Sequence, residues 1–325
     1  MKNLFPIVIA LLILTFPLSQ AFAGDAGQTA AEFLRLGPGG DIPAMGGAGV
    51  ASVAGPSSLQ YNPAGLASAR SRDLEFTYQQ LVEDIGYGNL DYTHALDSRG
   101  MLGAGLRYVS YGSEDRTVLD GGSVTKDGSF SGSDLLISGG YGEALAGEYA
   151  GGRMNWGAAM KIGRLEIDDE SANLWAVDAG LQWHSLDQSL PLSAGVIIAN
   201  LGTDVNYDDK NEDLPLLSRL GVTYDLQPQL DWPARLHADI EYQFESGESG
   251  LLLGGEYLFD VDQLRPNSQL AIRAGYDDNV DVDGGLTAGF GFWVDDRMGL
   301  DYAYVPFGDF GNLHKVGFRY HLGGK

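Results

Sequence analysis

The stretch ARLHADIEYQFE, residues 234–245, alternates apolar and polar side chains without a break. Successive side chains of a β-strand point to opposite faces, so the stretch predicts a strand with one apolar face and one ionisable face. Leu236, Ala238 and Ile240 share the apolar face, whereas Arg235 and Asp239 share the other. One such strand also suits a soluble sheet with its polar face in water, so the class of protein depends on how often the pattern recurs.

The same alternation recurs at residues 175–183, 216–226, 270–276 and 314–322, with aromatic side chains near the ends of the apolar face. Segments of about ten residues, apolar outside and polar inside, with aromatic residues at both ends of the apolar band, are typical of a transmembrane β-barrel. Trp175 and Trp183 fit this geometry, because the tilted strand between them spans roughly 20 Å of membrane depth. A large soluble all-β protein is the alternative that the pattern alone leaves open.

Fourteen candidate strands follow one another along the chain, beginning near residues 74, 87, 101, 133, 154, 172, 191, 216, 233, 250, 268, 285, 299 and 312. An even number lets both ends of the barrel face the periplasm. If the first strand runs outward, the two longest connections, residues 112–132 and 201–215, both lie outside, as expected for such barrels. The predicted fold is therefore all-β, an antiparallel transmembrane β-barrel of about 14 strands. Its lumen-facing polar residues are expected to include Arg219, Arg235, Asp239, Glu241, Arg273 and Arg319.

The N-terminus predicts export. Lys2 precedes an apolar run at residues 6–18, and Ala21-Phe22-Ala23 forms a cleavage site, so residues 1–23 are expected to be a secretory signal peptide. No later segment is apolar enough for a membrane helix. The chain has no cysteine, which argues against a lipoprotein anchor and a disulfide framework. We therefore expect the mature protein in the outer membrane, surrounded by lipid.

Residues 24–72 differ from the rest of the chain, because glycine, alanine and serine dominate and no strand alternation is visible. A short amphipathic helix is expected at residues 28–36. A mobile tail in water is normally more polar than this segment. The segment is therefore predicted to be a hatch, or plug, inside the lumen, and residues 73–325 are predicted to form the barrel.

Charge and motifs narrow the function. Acidic residues outnumber basic residues by 44 to 20, which argues against nucleic acid as a partner. There is no nucleophile elbow, no zinc-protease motif and no phosphate-binding loop, so neither an enzymatic activity nor a cofactor is expected. His237 beside Asp239 imitates a catalytic dyad, but a solvated lumen residue is the favoured interpretation.

Asn279, Asp281, Asp283 and Gly284 have the spacing of the start of a calcium loop. Its twelfth position is Phe290 instead of glutamate, which excludes an EF-hand. A weak divalent-cation site built from Asp277, Asp278, Asp281 and Asp283 stays open as an alternative to a simple acidic hairpin loop. The acidic hairpin loop is the preferred interpretation, so no metal ligands are predicted.

Three N-terminal motifs carry a family resemblance: FLRLG at residues 33–37, AMGGA at residues 44–48 and YNPAGL at residues 61–66. Together they resemble the N-terminal signature of the PorV/PorQ family of outer-membrane barrels, which are relatives of the FadL-type long-chain fatty-acid transporters. The segments LDYAYVP, residues 300–306, and GDFGN, residues 308–312, resemble the closing hairpin of that family.

The resemblance implies a fourteen-stranded barrel whose hatch carries an Asn-Pro-Ala turn inside the lumen. The hatch or gating residues that it implies are Met45, Gly46, Gly47, Asn62, Pro63, Ala64 and Gly65. Pro63 fixes its own φ and favours an extended Asn62, while Gly65 tolerates a tight reversal. Whether this turn moves to pass a ligand or only holds the plug stays open.

Two classes of function follow from the resemblance. The first is a passive conduit for small hydrophobic molecules such as long-chain fatty acids, with a lumenal pocket for that ligand. The second is an interaction component of type IX secretion and surface attachment, with secretion-system proteins as partners. From the sequence, the conduit leads slightly, because the hatch motif is shared with transporters.

Overall fold

The computed structural model describes residues 29–70, 72–81, 85–96, 100–120, 123–207, 210–263, 265–279, 285–306 and 311–323. The predicted signal peptide lies outside these residues, so it stays a prediction. Asp281 and Asp283 of the predicted acidic loop also lie outside them.

Fourteen strands form one closed antiparallel barrel, which confirms the predicted fold class. The chain runs from each strand to its neighbour, and pairing of the first strand with the last closes the barrel. The barrel strands are β1 (Asp73–Gln80), β2 (Gly86–Leu96), β3 (Gly100–Asp120), β4 (Ser123–Ala144), β5 (Gly152–Ile167), β6 (Glu170–Ser185), β7 (Leu192–Gly202), β10 (Leu217–Asp225), β11 (Ala234–Gln243), β12 (Ser249–Asp260), β13 (Ser268–Asp277), β14 (Gly285–Val294), β15 (Met298–Pro306) and β16 (Asn312–His321). Two further strands, β8 (Val205–Tyr207) and β9 (Lys210–Glu212), form a separate small hairpin.

Short helices account for the remaining regular structure. Glu32–Arg35 and Pro63–Ser68 are 3-10 helices, while Asp41–Ala44, Ser58–Tyr61 and Gln227–Leu230 are single α-helical turns. Among the described residues, no helix has the length and hydropathy needed to cross a membrane.

Both long connections contain strands, which the sequence did not predict. The β3–β4 pair continues far beyond the wall, with Ser113 opposite Ser131 and Asp120 opposite Ser123. The long connection expected at residues 112–132 is therefore formed largely by the protruding ends of β3 and β4, which run to Asp120 and from Ser123. Serine, aspartate and lysine occupy both of its faces, so the alternation that marks a half-buried strand is absent there. The connection at residues 201–215 contains the β8–β9 hairpin.

Burial is inverted relative to a soluble protein. Leu236 is 53% exposed and Ile272 is 47% exposed, whereas Glu75, Lys161 and Asp239 are almost fully buried. Apolar side chains that point outward and charged side chains that point inward are what a membrane-spanning barrel requires. The exposed apolar side chains therefore form the lipid-facing surface.

This geometry predicts opposite tolerance at two consecutive positions of β11. Ala238 lies on the outward face opposite Val222 and Leu253, so arginine there is expected to cost about 2–4 kcal/mol near the membrane midplane. Asp239→Asn, the matched inward change, should affect barrel assembly far less. For each variant, unfolding in lipid vesicles is followed by the electrophoretic mobility shift of heat-denatured barrels. Equal tolerance at the two positions would contradict a lipid-facing surface.

Candidate functional site

Residues 29–70, termed the plug below, fill the space inside the barrel. Plug backbone N–H groups donate to inward side chains on distant strands: Gly39 to Thr77 Oγ1 of β1 at 2.7 Å, Gly46 to Thr287 Oγ1 of β14 at 2.8 Å, and Gly49 to Asp239 Oδ2 of β11 at 2.8 Å. On the opposite side, Asn155 Nδ2 of β5 donates to Ser68 Oγ at 3.0 Å. A segment that bonds to the inward faces of strands all around the barrel occupies its lumen.

Inward-facing glycines bring the plug unusually close to the wall. At ten of them an added Cβ would lie 3.0 Å or less from a plug atom, a distance at which atoms overlap. Several are direct cross-strand neighbours, including the pairs at residues 103 and 140, 142 and 157, 157 and 180, 195 and 221, and 254 and 275. This set, the glycine belt, comprises Gly103, Gly140, Gly142, Gly157, Gly180, Gly195, Gly221, Gly254, Gly275 and Gly289.

The glycine belt explains the tight fit. Because these positions have no side chains, the backbone of the wall packs directly against the plug. At Gly275, for example, a Cβ would lie 2.1 Å from the carbonyl carbon of Met45 and 2.2 Å from the nitrogen of Gly46. The belt covers nine of the fourteen barrel strands, so little open space remains between plug and wall at its level.

The Asn62 turn fastens the plug to the belt. Asn62 is extended, as predicted, with φ −168°. Its Nδ2 donates to Val50 O at 2.9 Å and to Leu181 O at 3.2 Å, while its Oδ1 accepts from the Ala64 N–H at 3.1 Å. Pro63, Ala64 and Gly65 follow in a buried 3-10 helix. The buried amide thus links two parts of the plug to the wall.

The Met-Gly-Gly segment makes a second attachment. Gly46 and Gly47 have φ values of 65° and 78°, a left-handed conformation that favours glycine. This turn seats Met45 against Gly254 and Gly275. Thr287 Oγ1, which accepts from Gly46, donates to Ala44 O at 3.0 Å. The structure therefore brings six of the seven predicted hatch residues to plug–wall contacts. The exception is Gly65, where an added Cβ would meet Val53 and Ser58 of the plug itself.

Two of the predicted lumenal arginines tie the plug to the wall. Arg219 pairs with Glu241 and donates from Nη1 to Gly47 O at 3.1 Å. Arg35 of the plug reaches the same Glu241 at 3.5 Å. Arg319 pairs with Glu75 at 2.8 Å and with Asp41 of the plug at 3.4 Å. These pairs place charged contacts on two sides of the plug.

The other two predicted arginines stay within the wall. Arg273 lies between Asp301 and Glu256, at 2.5 and 3.2 Å. Arg235 differs from the expectation of a lumenal residue. Its side chain is 45% exposed and pairs with Asp225 and Glu256, because it lies at the start of β11, at the rim of the barrel.

Asp41 makes the plug contact sensitive to acid. Burial raises the pKa of Asp41, but the nearby Arg319 and Arg273 guanidinium groups outweigh this effect and hold the pKa below its usual value. A carboxyl whose pKa is lower when folded stabilises the folded state above its unfolded pKa. The contribution of Asp41 is lost as the pH falls through the lowered value.

An apolar cluster closes the end of the lumen near the β3–β4 hairpin. Phe33 and Leu34 of the plug pack there with inward apolar side chains of the wall, and Ala30 N donates to Asp213 O at 3.0 Å. Sequence reasoning missed these wall residues, although apolar side chains at inward positions were a visible signal. They are Tyr87, Val109, Leu136, Leu165, Ala172, Leu174 and Ala176. Val205 of β8 and Leu214, which lies between β9 and β10, belong to the same cluster.

A small cavity with both polar and apolar lining lies between plug and wall. Its volume is about 40 Å³, and its lining includes Arg35, Gln60, Tyr61, Lys161 and Arg219. A space of this size holds one or a few water molecules and is too small for an alkyl chain. A ligand with an alkyl chain could therefore enter the lumen only if the plug moved.

The alternative sites considered from the sequence find no support in the described residues. His237 Nδ1 lies 3.0 Å from Thr223 Oγ1 and 3.2 Å from Ser52 Oγ, so hydroxyl groups hold this ring. No group of three or more potential metal ligands is assembled in the part of the chain that the structure describes.

Comparison with known proteins agrees with the fold. The chain resembles the TodX deltaS2S3 mutant monoaromatic hydrocarbon channel at 14% identity and a TM-score of 0.58, covering 87% of this chain and 97% of that one. It resembles the CymD monoaromatic hydrocarbon channel at 12% identity and a TM-score of 0.56, covering 87% and 96%. At such identities the likeness shows the barrel fold alone. No curated protein matches the sequence.

The family comparison is more specific. The model of the family described as type IX secretion system protein PorV matches residues 22–243, more than half of the chain. The match includes the plug with its three motifs and the strands through β11, and it confirms the family resemblance read from those motifs. The chain therefore belongs to the PorV family of outer-membrane β-barrels.

Proposed function

We propose that this protein serves type IX secretion as an interaction component and that its lumen is kept closed. The observation that carries the proposal is the plug, whose backbone and side-chain atoms pack against the glycine belt on nine strands. Hydrophobic conduits need a path of alkyl width, and the lumenal cavity beside Tyr61 holds only about 40 Å³. Membership of the PorV family favours the same role. We also propose that the protein has no catalytic activity.

The β3–β4 hairpin is the contact surface that we propose for a secretion partner. In residues 113–120 and 123–130, as far as the structure describes them, the two strands are paired with each other and with no further strand, so their outer edges offer backbone hydrogen-bonding groups. Leu119 and Val124 form a cross-strand pair at its tip and are 77% and 72% exposed. Free strand edges with an apolar tip suit an extended segment of another protein, which adds a strand to the hairpin.

The double substitution Leu119→Asp, Val124→Asp is expected to reduce secretion while leaving barrel assembly unchanged, because both side chains project into solvent. The measurement is the amount of exported protein at the cell surface relative to the periplasm. Ser123→Asp, an acidic change at a polar tip position, is the matched control and should have little effect. Normal secretion by the double variant would argue against the hairpin as the contact surface.

Transport of a small hydrophobic molecule is the second candidate, favoured by the fold shared with hydrocarbon channels. A gene deletion complemented with the wild type separates the two. Under the secretion proposal, the deletion strain accumulates exported proteins in the periplasm, and uptake of a hydrophobic tracer stays normal. Normal secretion with impaired, complementable uptake would instead establish the conduit.

A further inference from the structure

Two buried cations of the lumen stand apart from the others. Arg107 is 1% exposed and Lys315 is 5% exposed, yet within the described residues neither forms a salt bridge. Arg107 Nη1 donates to Phe33 O and Lys315 Nζ donates to Gly37 O, each at 2.8 Å. By contrast, carboxylates pair with the other inward cations, Lys161, Arg219, Arg273 and Arg319.

Both cations contact the same buried ring. The Arg107 guanidinium carbon lies 5.6 Å from the Tyr87 ring centroid, and Lys315 Nζ lies 6.0 Å from it. Gln79 is the cross-strand neighbour of both Lys315 and Tyr87. The Gln79 amide and the Arg107 Nε and Nη2 groups are buried without a hydrogen-bond partner among the described residues. Several unused donors therefore converge between β16, β1, β2 and β3.

Asp91 is an acidic neighbour of this pair, but it forms no salt bridge with either cation within the described residues. Asp91 Oδ2 accepts from Asn89 Nδ2 at 2.6 Å, and its Oδ1 lies over Gly105, on the side away from Tyr87 in the register of β2 and β3. Burial of an unpaired charge is strongly unfavourable, and each unused buried donor adds to this cost. Contact with an aromatic ring offsets only part of this cost.

We propose that Arg107 and Lys315 bind one small inorganic anion of the halide or nitrate class between the wall and the plug. The anion accepts from Arg107 Nε or Nη2, from Lys315 Nζ and from Gln79 Nε2. Tyr87 and Gln79 are fully buried, so the surroundings suit a compact anion and exclude a carboxylate that carries an alkyl chain. Because the same two cations hold Phe33 O and Gly37 O, the bound anion strengthens the seat of the plug. This site is independent of the proposed secretion role.

The direct test is crystallographic. Crystals of the full-length barrel grown in sodium bromide are expected to show an anomalous peak between Arg107 and Lys315. A map with no peak beside this pair overturns the proposal. This measurement uses the wild-type protein and does not depend on the folding of a variant.

A solution test adds a matched control. In detergent at constant ionic strength, replacement of gluconate by bromide or chloride is expected to raise the unfolding temperature saturably, as for a single site. Lys315→Met should lose this shift. Arg164→Gln, which removes an exposed cation with a 56% accessible side chain, should keep it. The proposal fails if the wild type shows no saturable shift, or if octanoate gives the same shift as bromide, because an alkyl carboxylate would then be the ligand.

Discussion

Gly275→Ala is expected to displace the plug, although it adds a single methyl group. The new Cβ would lie 2.1 Å from the carbonyl carbon of Met45, a backbone atom that cannot rotate away. Overpacking of this kind costs about 1–3 kcal/mol in well-packed interiors. The plug turn at Gly46 and Gly47 must therefore shift, and its hydrogen bond to Thr287 should weaken. We expect faster proteolysis of the plug in the assembled barrel and a higher conductance in planar bilayers.

Gly139→Ala is the matched control for this substitution. Gly139 lies on the outward face of β4, and an added Cβ there meets no atom within 4 Å. Replacement of glycine in a compatible conformation stabilises a protein by about 0.4–1 kcal/mol, so this variant should be as stable as the wild type or more stable. Equal behaviour of the two variants would show that the glycine belt does not seat the plug.

Local sequence patterns predicted the barrel well, and the lumen less well. Alternation is a property of neighbouring residues, so the starts of most strands were predicted within two residues, as for β10 at Leu217 and β16 at Asn312. The start of β4 was predicted about ten residues late, because the protruding hairpin is polar on both faces. Strand pairing there depends on register with β3 instead of on a buried face.

The glycine belt shows why the site was harder to predict. Gly275 is needed because Met45 packs against it, and these residues are separated by most of the chain. A glycine in a strand has no local mark that distinguishes an inward contact from an outward position such as Gly139. Likewise, Arg107 and Lys315 lie beside the same Tyr87 ring only because β1 pairs with β16 and closes the barrel. Contacts created by closure have no short-range signal in the sequence.

Deletion of residues 28–60 is expected to open the barrel to ions without unfolding it. The strand ladder satisfies its own backbone hydrogen bonds around the closed barrel, so the wall persists without the plug. Removal of this part of the plug, which leaves the Asn62 turn in place, exposes a wall lined by Arg219, Arg273, Arg319 and their carboxylate partners, and this polar surface becomes wetted. Single-channel conductance should rise strongly, while the mobility shift on heating is retained. Loss of packing at the glycine belt should lower the unfolding temperature.

The replacement of Asn62 and Pro63 by alanine is a graded version of the deletion. It removes the Asn62 hydrogen bonds to Val50 O and Leu181 O but keeps the rest of the plug, so the conductance should rise less than in the deletion. Secretion and tracer uptake, measured in the same strains, distinguish a plug that only closes the lumen from a plug that gates a conduit. If the plug only keeps the lumen closed, the graded variant secretes normally; if it gates a conduit, saturable uptake of a hydrophobic tracer changes in both variants. Unchanged conductance in the deletion would show that residues 28–60 do not block the lumen, and the closed-barrel proposal would lose its basis.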